Sequence, residues 1–198
     1  MVLRYIDDDR AARLAKLAAG GIHDPAMTPF RFPWTDVAPP QLERNTMQYF
    51  WRCRANAEPN SWIIDFAAEV DGKVAGTVGL NAQSFPSLRQ VTTGSWLGRA
   101  FQGHGLGREM RIAALTLAFD GIDADLALTD AWHDNGPSLG VTNSLGYSEV
   151  GRRRALRRDS PDLLLEFEMS REHFDTIRRD DITLHGVEAV RDLLQTGR

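Results

Sequence analysis

The segment whose residue types point most directly to chemistry runs from position 96 to 110 and reads WLGRAFQGHGLGREM. Its glycines at 103, 105 and 107 let the backbone approach a ligand closely, because they carry no Cβ. Apolar residues then recur at helical spacing, which predicts a helix over 106–120. The N–H groups of the loop, with the unpaired donors of the helix's first turn, can hold phosphate oxygens. The segment therefore predicts a site for a phosphorylated cofactor.

Three kinds of phosphate-binding loop compete for this segment. A P-loop needs a lysine and then Ser or Thr after its last glycine, whereas this chain continues with Arg-Glu. A dinucleotide fingerprint needs a small residue where Met110 stands and an acid at the end of the next strand, but Asp125 opens that strand. The pattern Gln/Arg-x-x-Gly-x-Gly/Ala fits instead, from Gln102 to Gly107.

A second motif lies downstream, where NGPS at 135–138 is followed by NSLGY at 143–147. Together with the glycine-rich loop, in this order and with a helix and a strand between them, it resembles the GNAT N-acetyltransferase family. Within that family it is most similar to the RimJ/RimL-type subgroup, which acetylates ribosomal-protein N-termini. The resemblance covers residues 62–170 and fades on either side.

The resemblance implies acetyl-coenzyme A as the cofactor, with its pyrophosphate on the glycine-rich loop and its pantetheine arm along the preceding strand. It also implies transfer of the acetyl group to a primary amine, on a protein N-terminus or a small molecule, by direct attack in a ternary complex. The residues that it assigns to cofactor binding are Trp96, Leu97, Gly98, Gln102, Gly103, His104, Gly105, Leu106, Gly107, Arg108, Asn135 and Ser138.

Acetyl transfer needs a neutral amine, a polarised carbonyl and help for the departing thiolate. A backbone N–H at Leu97 is the expected donor to the developing oxyanion. Many relatives protonate the thiolate with a tyrosine, but Thr142 stands at that position. Ser138 matches the serine that the RimJ/RimL-type subgroup places near the sulfur, so the resemblance implies Ser138 as the catalytic donor. An α-amine titrates near ~8 and a lysine near ~10.4, so a base must take the proton.

The base is left open by the sequence. The strand before the loop has no acid between positions 90 and 95, although relatives often place one there. Asp65 and Glu69 on an earlier strand, an acid from the 22–45 loop, or a bound water remain alternatives. The missing tyrosine and carboxylate also favour a rival function, namely a non-catalytic module or sensor that binds coenzyme A or a nucleotide phosphate.

Composition limits the classes of function. With 198 residues, 42% of them hydrophobic, the chain is expected to form one domain over 1–198, which the resemblance implies is an acyltransferase domain. Within it, 22–45 is expected to lie on the acceptor side and 171–198 to be a C-terminal extension. A net charge of −4 argues against a nucleic-acid partner. One cysteine, Cys53, and five histidines without ligand spacing predict no metal site.

The chain begins without a signal-peptide pattern, and no apolar run approaches the ~20 residues of a membrane span. The sequence therefore predicts a cytoplasmic protein with no membrane partner. A homodimer, formed through the last hairpin or the tail, is left open.

The elements that must position these residues give an α/β (α+β) fold. We expect a mixed, mostly antiparallel central sheet with one parallel strand pair, flanked by helices. The resemblance adds that this pair splays apart. Asp8 or Asp9 is expected to cap the first helix, and the arginines between 152 and 158 to form a solvated strand pair. Expected strands are 2–6, 62–70, 73–80, 91–97, 125–130, 147–158 and 162–170; expected helices are 8–19, 41–57, 106–120, 135–145 and 186–195, and 22–40 is expected to be an aromatic loop.

Overall fold

The structure, a computed structural model, describes residues 1–196. Two short helical turns lie outside the elements named below, a 3-10 turn at Arg99–Phe101 and a π-helical turn at Leu117–Gly121. The elements, in chain order, are β1 Val2–Tyr5, α1 Asp8–Ala19, α2 Gln41–Ala55, β2 Ser61–Val70, β3 Lys73–Gln83, α3 Phe85–Leu88, β4 Gln90–Leu97, α4 Leu106–Thr116, β5 Leu126–Trp132, α5 Gly136–Ser144, β6 Ser148–Arg157, β7 Ser160–Ser170, α6 Arg171–Ile177 and α7 Val187–Leu194.

The strands form one seven-stranded sheet in the order β1-β2-β3-β4-β5-β7-β6. Only β4 and β5 are parallel, and every other neighbouring pair is antiparallel, which confirms the predicted mixed sheet. The pairing of β4 with β5 ends at Thr92 and Leu128, although β4 continues to Leu97 and β5 to Trp132. The two strands therefore separate towards their carboxyl ends and leave a gap beside the glycine-rich loop.

Helices cover both faces of the sheet, because side chains alternate between the faces along each strand. On one face the core includes Leu80 of β3 with Met110 of α4 and Phe119 of the π-helical turn. On the other face Leu14 of α1 and Phe50 of α2 belong to a smaller cluster. Within residues 1–196, no helix is both long and apolar enough to cross a membrane.

Two local predictions were wrong. The cap of α1 is Asp7, which lies in extended backbone and accepts the Arg10 N–H at 2.9 Å, so neither Asp8 nor Asp9 holds that position. The strands expected at 147–158 and 162–170 leave a three-residue turn over 159–161, but Ser160 already pairs with Arg157.

The helices α3 and α6 were not predicted, because they have only 4 and 7 residues and so show little periodicity in the sequence. By contrast, the strands expected at 62–70 and 73–80 leave a two-residue turn, and Asp71-Gly72 does connect β2 and β3. Both of its residues have positive φ, at 49° and 74°.

Candidate functional site

The glycine-rich loop connects the end of β4 to the start of α4. Gly103 and Gly105 have φ of 76° and 78°, a left-handed conformation that side-chain-bearing residues rarely adopt. A Cβ on either would meet no atom within 4 Å. The first backbone bonds of α4 run from the N–H groups of Arg108 and Glu109 to Gly105 O. Within the described chain the amides from 103 to 107 make no hydrogen bond, so they remain available to an anion at the helix N-terminus.

The side chains of the loop have different tasks. Gln102 donates through Nε2 to Leu97 O at 2.7 Å and to Ile22 O at 2.8 Å, so its amide ties the loop to β4 and to the segment after α1. His104 is exposed. Arg108 is partly buried and makes no ion pair with the described residues, so its charge is not neutralised by the protein.

The end of β4 presents backbone groups to the gap. Gly98 N–H donates to Ala75 O of β3 at 2.9 Å, which shows which side of the strand bonds to β3. Since successive amides of a strand point to opposite sides, the Leu97 N–H faces the gap instead. The Leu97 carbonyl faces the same way and is the group that accepts from Gln102. Trp96 projects onto the face covered by α1 and α2, where it packs against the smaller core cluster.

A buried arginine lies on the α4 side of the gap. Arg111 is 3% exposed, and its Nη1 donates to Thr93 Oγ1 of β4 at 3.0 Å and to Thr129 Oγ1 of β5 at 3.1 Å. Its Nη2 donates to Ser95 Oγ at 3.3 Å. The guanidinium thus bridges the two strands just beyond their last paired residues. No carboxylate within residues 1–196 forms an ion pair with it.

Sequence reasoning missed Arg111. The available signal was that Arg111 stands in the predicted helix directly before the apolar run 112–115.

The second motif forms the start of α5, which follows β5 and contacts α4. Asn135 is the N-cap: its Oδ1 accepts the Ser138 N–H at 3.3 Å, and its Nδ2 donates to Pro29 O at 3.4 Å. Oδ1 and Nδ2 each retain capacity for one further hydrogen bond, which a pantetheine arm could use. The Ser138 side chain is partly buried, and its hydroxyl makes no hydrogen bond to the described chain. Thr142 is fully buried and cannot take the place of a tyrosine at the site.

The aromatic loop over 22–40 covers the other face of the gap. The ring of Trp34 lies 5.8 Å from that of Trp96 and 5.1 Å from that of Phe30. Trp132 Nε1, at the end of β5, donates to Phe30 O at 3.1 Å. The loop is therefore ordered by contacts to both separated strands, as the sequence predicted from its aromatic content.

Two arginines of the β6–β7 hairpin fasten this loop from the side. Arg157 is only 11% exposed and donates to Thr28 O at 2.7 Å and to Asp134 at 2.7 Å. Arg158 donates to both oxygens of Asp36 and to Pro25 O. The expected solvated strand pair therefore describes Arg152 and Arg154, which are exposed, but not Arg157.

Two carboxylates lie near the covered face. Asp65 of β2 has a buried Oδ2 without a hydrogen-bond partner, and burial raises the pKa of this carboxyl to about 6, partly opposed by the Tyr49 hydroxyl. Asp130 of β5, which the sequence analysis missed, pairs with Arg31 at 3.0 Å; burial raises its pKa, while Arg31 opposes that rise. Glu69, the other acid considered, instead pairs with Arg10 at 3.1 Å.

Comparison with known proteins adds a family. The family described as "Acetyltransferase (GNAT) domain" matches residues 1–148. RimL, a ribosomal-protein alpha-N-acetyltransferase solved in complex with coenzyme A, is 16% identical with a TM-score of 0.71, covering 85% of this chain and 92% of RimL. RimJ from Mycobacterium smegmatis, in complex with a coenzyme A disulfide, is 20% identical with a TM-score of 0.70, covering 86% and 81%. A variant of the spermidine N-acetyltransferase SpeG from Vibrio cholerae is 14% identical with a TM-score of 0.65, covering 88% and 97%. At these identities the likeness to solved structures shows the fold.

Proposed function

The chain belongs to the GNAT acetyltransferase family, and from that premise we propose how its residues transfer an acetyl group to a primary amine. The family uses acetyl-coenzyme A, so the protein is an acetyl-coenzyme A-dependent N-acetyltransferase. We propose direct attack by the amine in a ternary complex. The acceptor that we propose is a protein N-terminus or a small-molecule amine.

The residues present fit this cofactor. The unpaired amides from 103 to 107 suit a pyrophosphate, and Arg108 adds a cation beside them. The gap between β4 and β5 exposes strand backbone, which suits the amides of a pantetheine arm in the manner of strand addition. We assign Trp96, Leu97 and Gly98 to that arm. Bound acetyl-coenzyme A supplies the thioester that the amine attacks.

Two groups of this chain are proposed to act on the reacting atoms. The Leu97 N–H, which faces the gap, would donate to the oxygen on which negative charge develops; one such donor typically contributes 10²–10³-fold or about 3 kcal/mol. The Ser138 hydroxyl, free of other hydrogen bonds, would donate to the sulfur as it leaves. Both donors belong to elements whose positions are fixed by hydrogen bonds, Leu97 through Gln102 and Ser138 through Asn135.

The single observation that carries this proposal is the combination of unpaired loop amides with an adjoining strand gap. Calorimetry with coenzyme A, followed by thiol release from acetyl-coenzyme A in the presence of an amine panel, tests it. We expect tight binding and amine-dependent turnover. Binding without turnover on any amine would instead support the rival non-catalytic module.

A cytoplasmic location and a homodimer are proposals from the sequence alone. Fractionation of the source cells and sedimentation of the purified protein test them. We likewise propose no nucleic-acid or membrane partner, in keeping with the net charge of −4.

A further inference from the structure

Asp65 lies in a row of three residues that crosses the sheet towards the gap. In the antiparallel register Asp65 of β2 pairs with Gly79 of β3, and Gly79 pairs with Gly94 of β4. Directly opposed residues project from the same face of a sheet. Because both glycines lack a side chain, Asp65 carries the one side chain of this row of three residues.

The carboxyl of Asp65 extends along this row towards β4. A Cβ on Gly79 would overlap Asp65 Oδ1, so that oxygen lies directly over β3. A Cβ on Gly94 would meet nothing within 4 Å, so the next place in the row is open. Neighbouring strands are about 4.8 Å apart, so Oδ1 lies roughly one strand spacing from β4.

This row lies on the acceptor face of the sheet. Trp96, two residues after Gly94, projects from the same face and contacts Trp34 of the aromatic loop. Thr93 and Ser95 project from the other face, where they bind Arg111 of α4. Asp65 and the glycine-rich loop therefore serve different sides of β4.

The carboxyl has no cationic partner. Among residues 1–196 it forms no ion pair, whereas Glu69 on the same strand contacts Arg10 and Arg13. The titratable groups that face it are Tyr5 of β1 and Tyr49 and Cys53 of α2. Burial is the first cause that raises the pKa of each group. The charge of Asp65 is the second cause at Tyr49 and Cys53, whereas at Tyr5 the charge of Arg54 opposes the rise and Asp65 adds less. All three groups therefore stay neutral at pH 7.

Arg54 lines the cavity beside Asp65, but its guanidinium binds Asp8. A buried, unpaired carboxylate is costly. A cation supplied by a substrate would remove that cost.

We propose that Asp65 attracts the ammonium group of the acceptor and takes its proton through bridging waters, a proposal that rests on the proposed function. Gly94 precedes Leu97 by three residues, or about 10 Å of strand, which is more than one water spans, so the proton passes along a short chain of waters. The ammonium loses H⁺ to the carboxylate, and its nitrogen lone pair then forms the C–N bond while the C–S bond breaks. The nitrogen then gives up a second proton, which ends on the departing sulfur, so the thiolate leaves as a thiol. Asp65 returns the proton that it took to solvent, through the cavity that Tyr5 and Arg54 line.

The pKa of about 6 suits this role, because the group is ionised at neutral pH yet basic enough to share a proton with an amine.

The test is a steady-state pH profile, from pH 5 to 9, for wild type, Asp65→Asn and the matched control Glu69→Gln. We expect Asp65→Asn to lower kcat/KM for the amine at pH 7 by about 100-fold, a typical loss for a missing base. The deficit in kcat/KM of Asp65→Asn shrinks as pH rises, because free amine accumulates. The acidic limb that the wild-type profile shows near pH 6 is absent from the profile of the variant. Its affinity for coenzyme A, measured by calorimetry, stays within about 2-fold of wild type, since Asp65 faces away from the cofactor loop. Glu69→Gln keeps the wild-type profile.

A second variant, Gly94→Ala, adds a methyl group to the open place beside the carboxyl. We expect it to fold, to raise the KM of the amine and to leave the acidic limb in place. An active wild type with an unchanged Asp65→Asn profile would overturn the role of Asp65 alone. A wild type that binds coenzyme A but turns over no amine would overturn the proposed function and this role together.

Discussion

Arg158 and Asp36 join the β6–β7 hairpin to the loop that covers the gap. Arg158 Nε and Nη2 donate to the two oxygens of Asp36 at 2.6 Å and 2.9 Å. The hydrogen bond from Arg158 is the main reason that the pKa of Asp36 lies below its ordinary value. Because the pKa of Asp36 is lowered, its carboxylate attracts Arg158 at every pH above the ordinary carboxyl range, and the attraction is lost only in acid. The loop is therefore fastened throughout the neutral range.

The first prediction concerns this fastening. Arg158→Met removes an exposed pair, which contributes little to global stability. We expect unchanged thermal unfolding, faster proteolysis within 22–40 and a several-fold rise in the KM of the amine. Arg152→Met, which removes an exposed arginine of the same hairpin whose ion pair is with Glu149, is the matched control. Equal proteolysis of both variants would show that the hairpin does not hold the loop.

The second prediction concerns Arg111, which bridges Thr93 and Thr129 across the separated strands. Both threonine hydroxyls keep a backbone acceptor without it, namely Leu128 O and Thr93 O. Replacing a buried charge by an apolar group of similar size is often close to neutral, so Arg111→Met is expected to change the free energy of unfolding by only about 1 kcal/mol. We expect coenzyme A affinity to fall about 10-fold, because the strands are no longer held apart. Urea unfolding and calorimetry measure the two effects, and a large loss of stability with unchanged affinity would contradict this view.

The third prediction separates Ser138 from its neighbours. Ser138→Ala removes the proposed donor to sulfur and is expected to lower kcat by about 10- to 100-fold, with little change in the KM of acetyl-coenzyme A. Ser144→Ala, at the other end of α5, loses only a bond to Val141 O and serves as the control. Stopped-flow detection of the released thiol measures both. Equal rates for the two variants would leave the helix cap as the only role of this segment.

The fourth prediction concerns the loop backbone. Gly105→Ala places a side chain at φ 78° in open space, so strain rather than collision decides its effect. The cost is about 1 kcal/mol in unfolding free energy, the usual penalty of a left-handed residue. Relief of that strain would turn the amides away from the anion, and we expect weaker coenzyme A binding. Gly140→Ala, in α5 with no positive φ and open space, is expected to leave binding unchanged.

Features of the fold and of the site that depend on neighbouring residues could be predicted from the sequence, whereas features that depend on residues far apart in the chain could not. Gly103 and Gly105 were identified because a left-handed loop and a helix start are local. The Asp71-Gly72 turn was found for the same reason. The row from Asp65 through Gly79 to Gly94 was not, because it exists only once the register of three strands is fixed.

The same reason applies to the arginines. The bridge made by Arg111 requires β4 and β5 to separate at Thr93, and nothing in either strand's own sequence specifies that point. Arg157 was expected in solvent, because its partner Thr28 lies 129 residues away. Charge alone therefore did not reveal which arginines hold the loop.

The last prediction follows from the pKa of Asp65, which burial raises to about 6. A raised folded-state pKa means that the folded protein holds a proton that the unfolded chain has already lost between about pH 4 and 6. Stability associated with Asp65 is therefore fully present below pH 4 and is lost as pH rises through 6. The shift corresponds to about 3 kcal/mol, an order-of-magnitude figure at 1.36 kcal/mol for each unit of pKa.

Asp65→Asn should remove this dependence, because an amide does not titrate. We expect the variant to unfold at a higher urea concentration than wild type at pH 8, while their difference narrows at pH 5. The same substitution that impairs turnover would thus stabilise the fold, which is the behaviour of a charge kept for its chemistry. Urea titrations of both proteins at the two pH values measure it. A variant less stable than wild type at pH 8 would mean that the carboxylate has a cationic partner in the free protein after all.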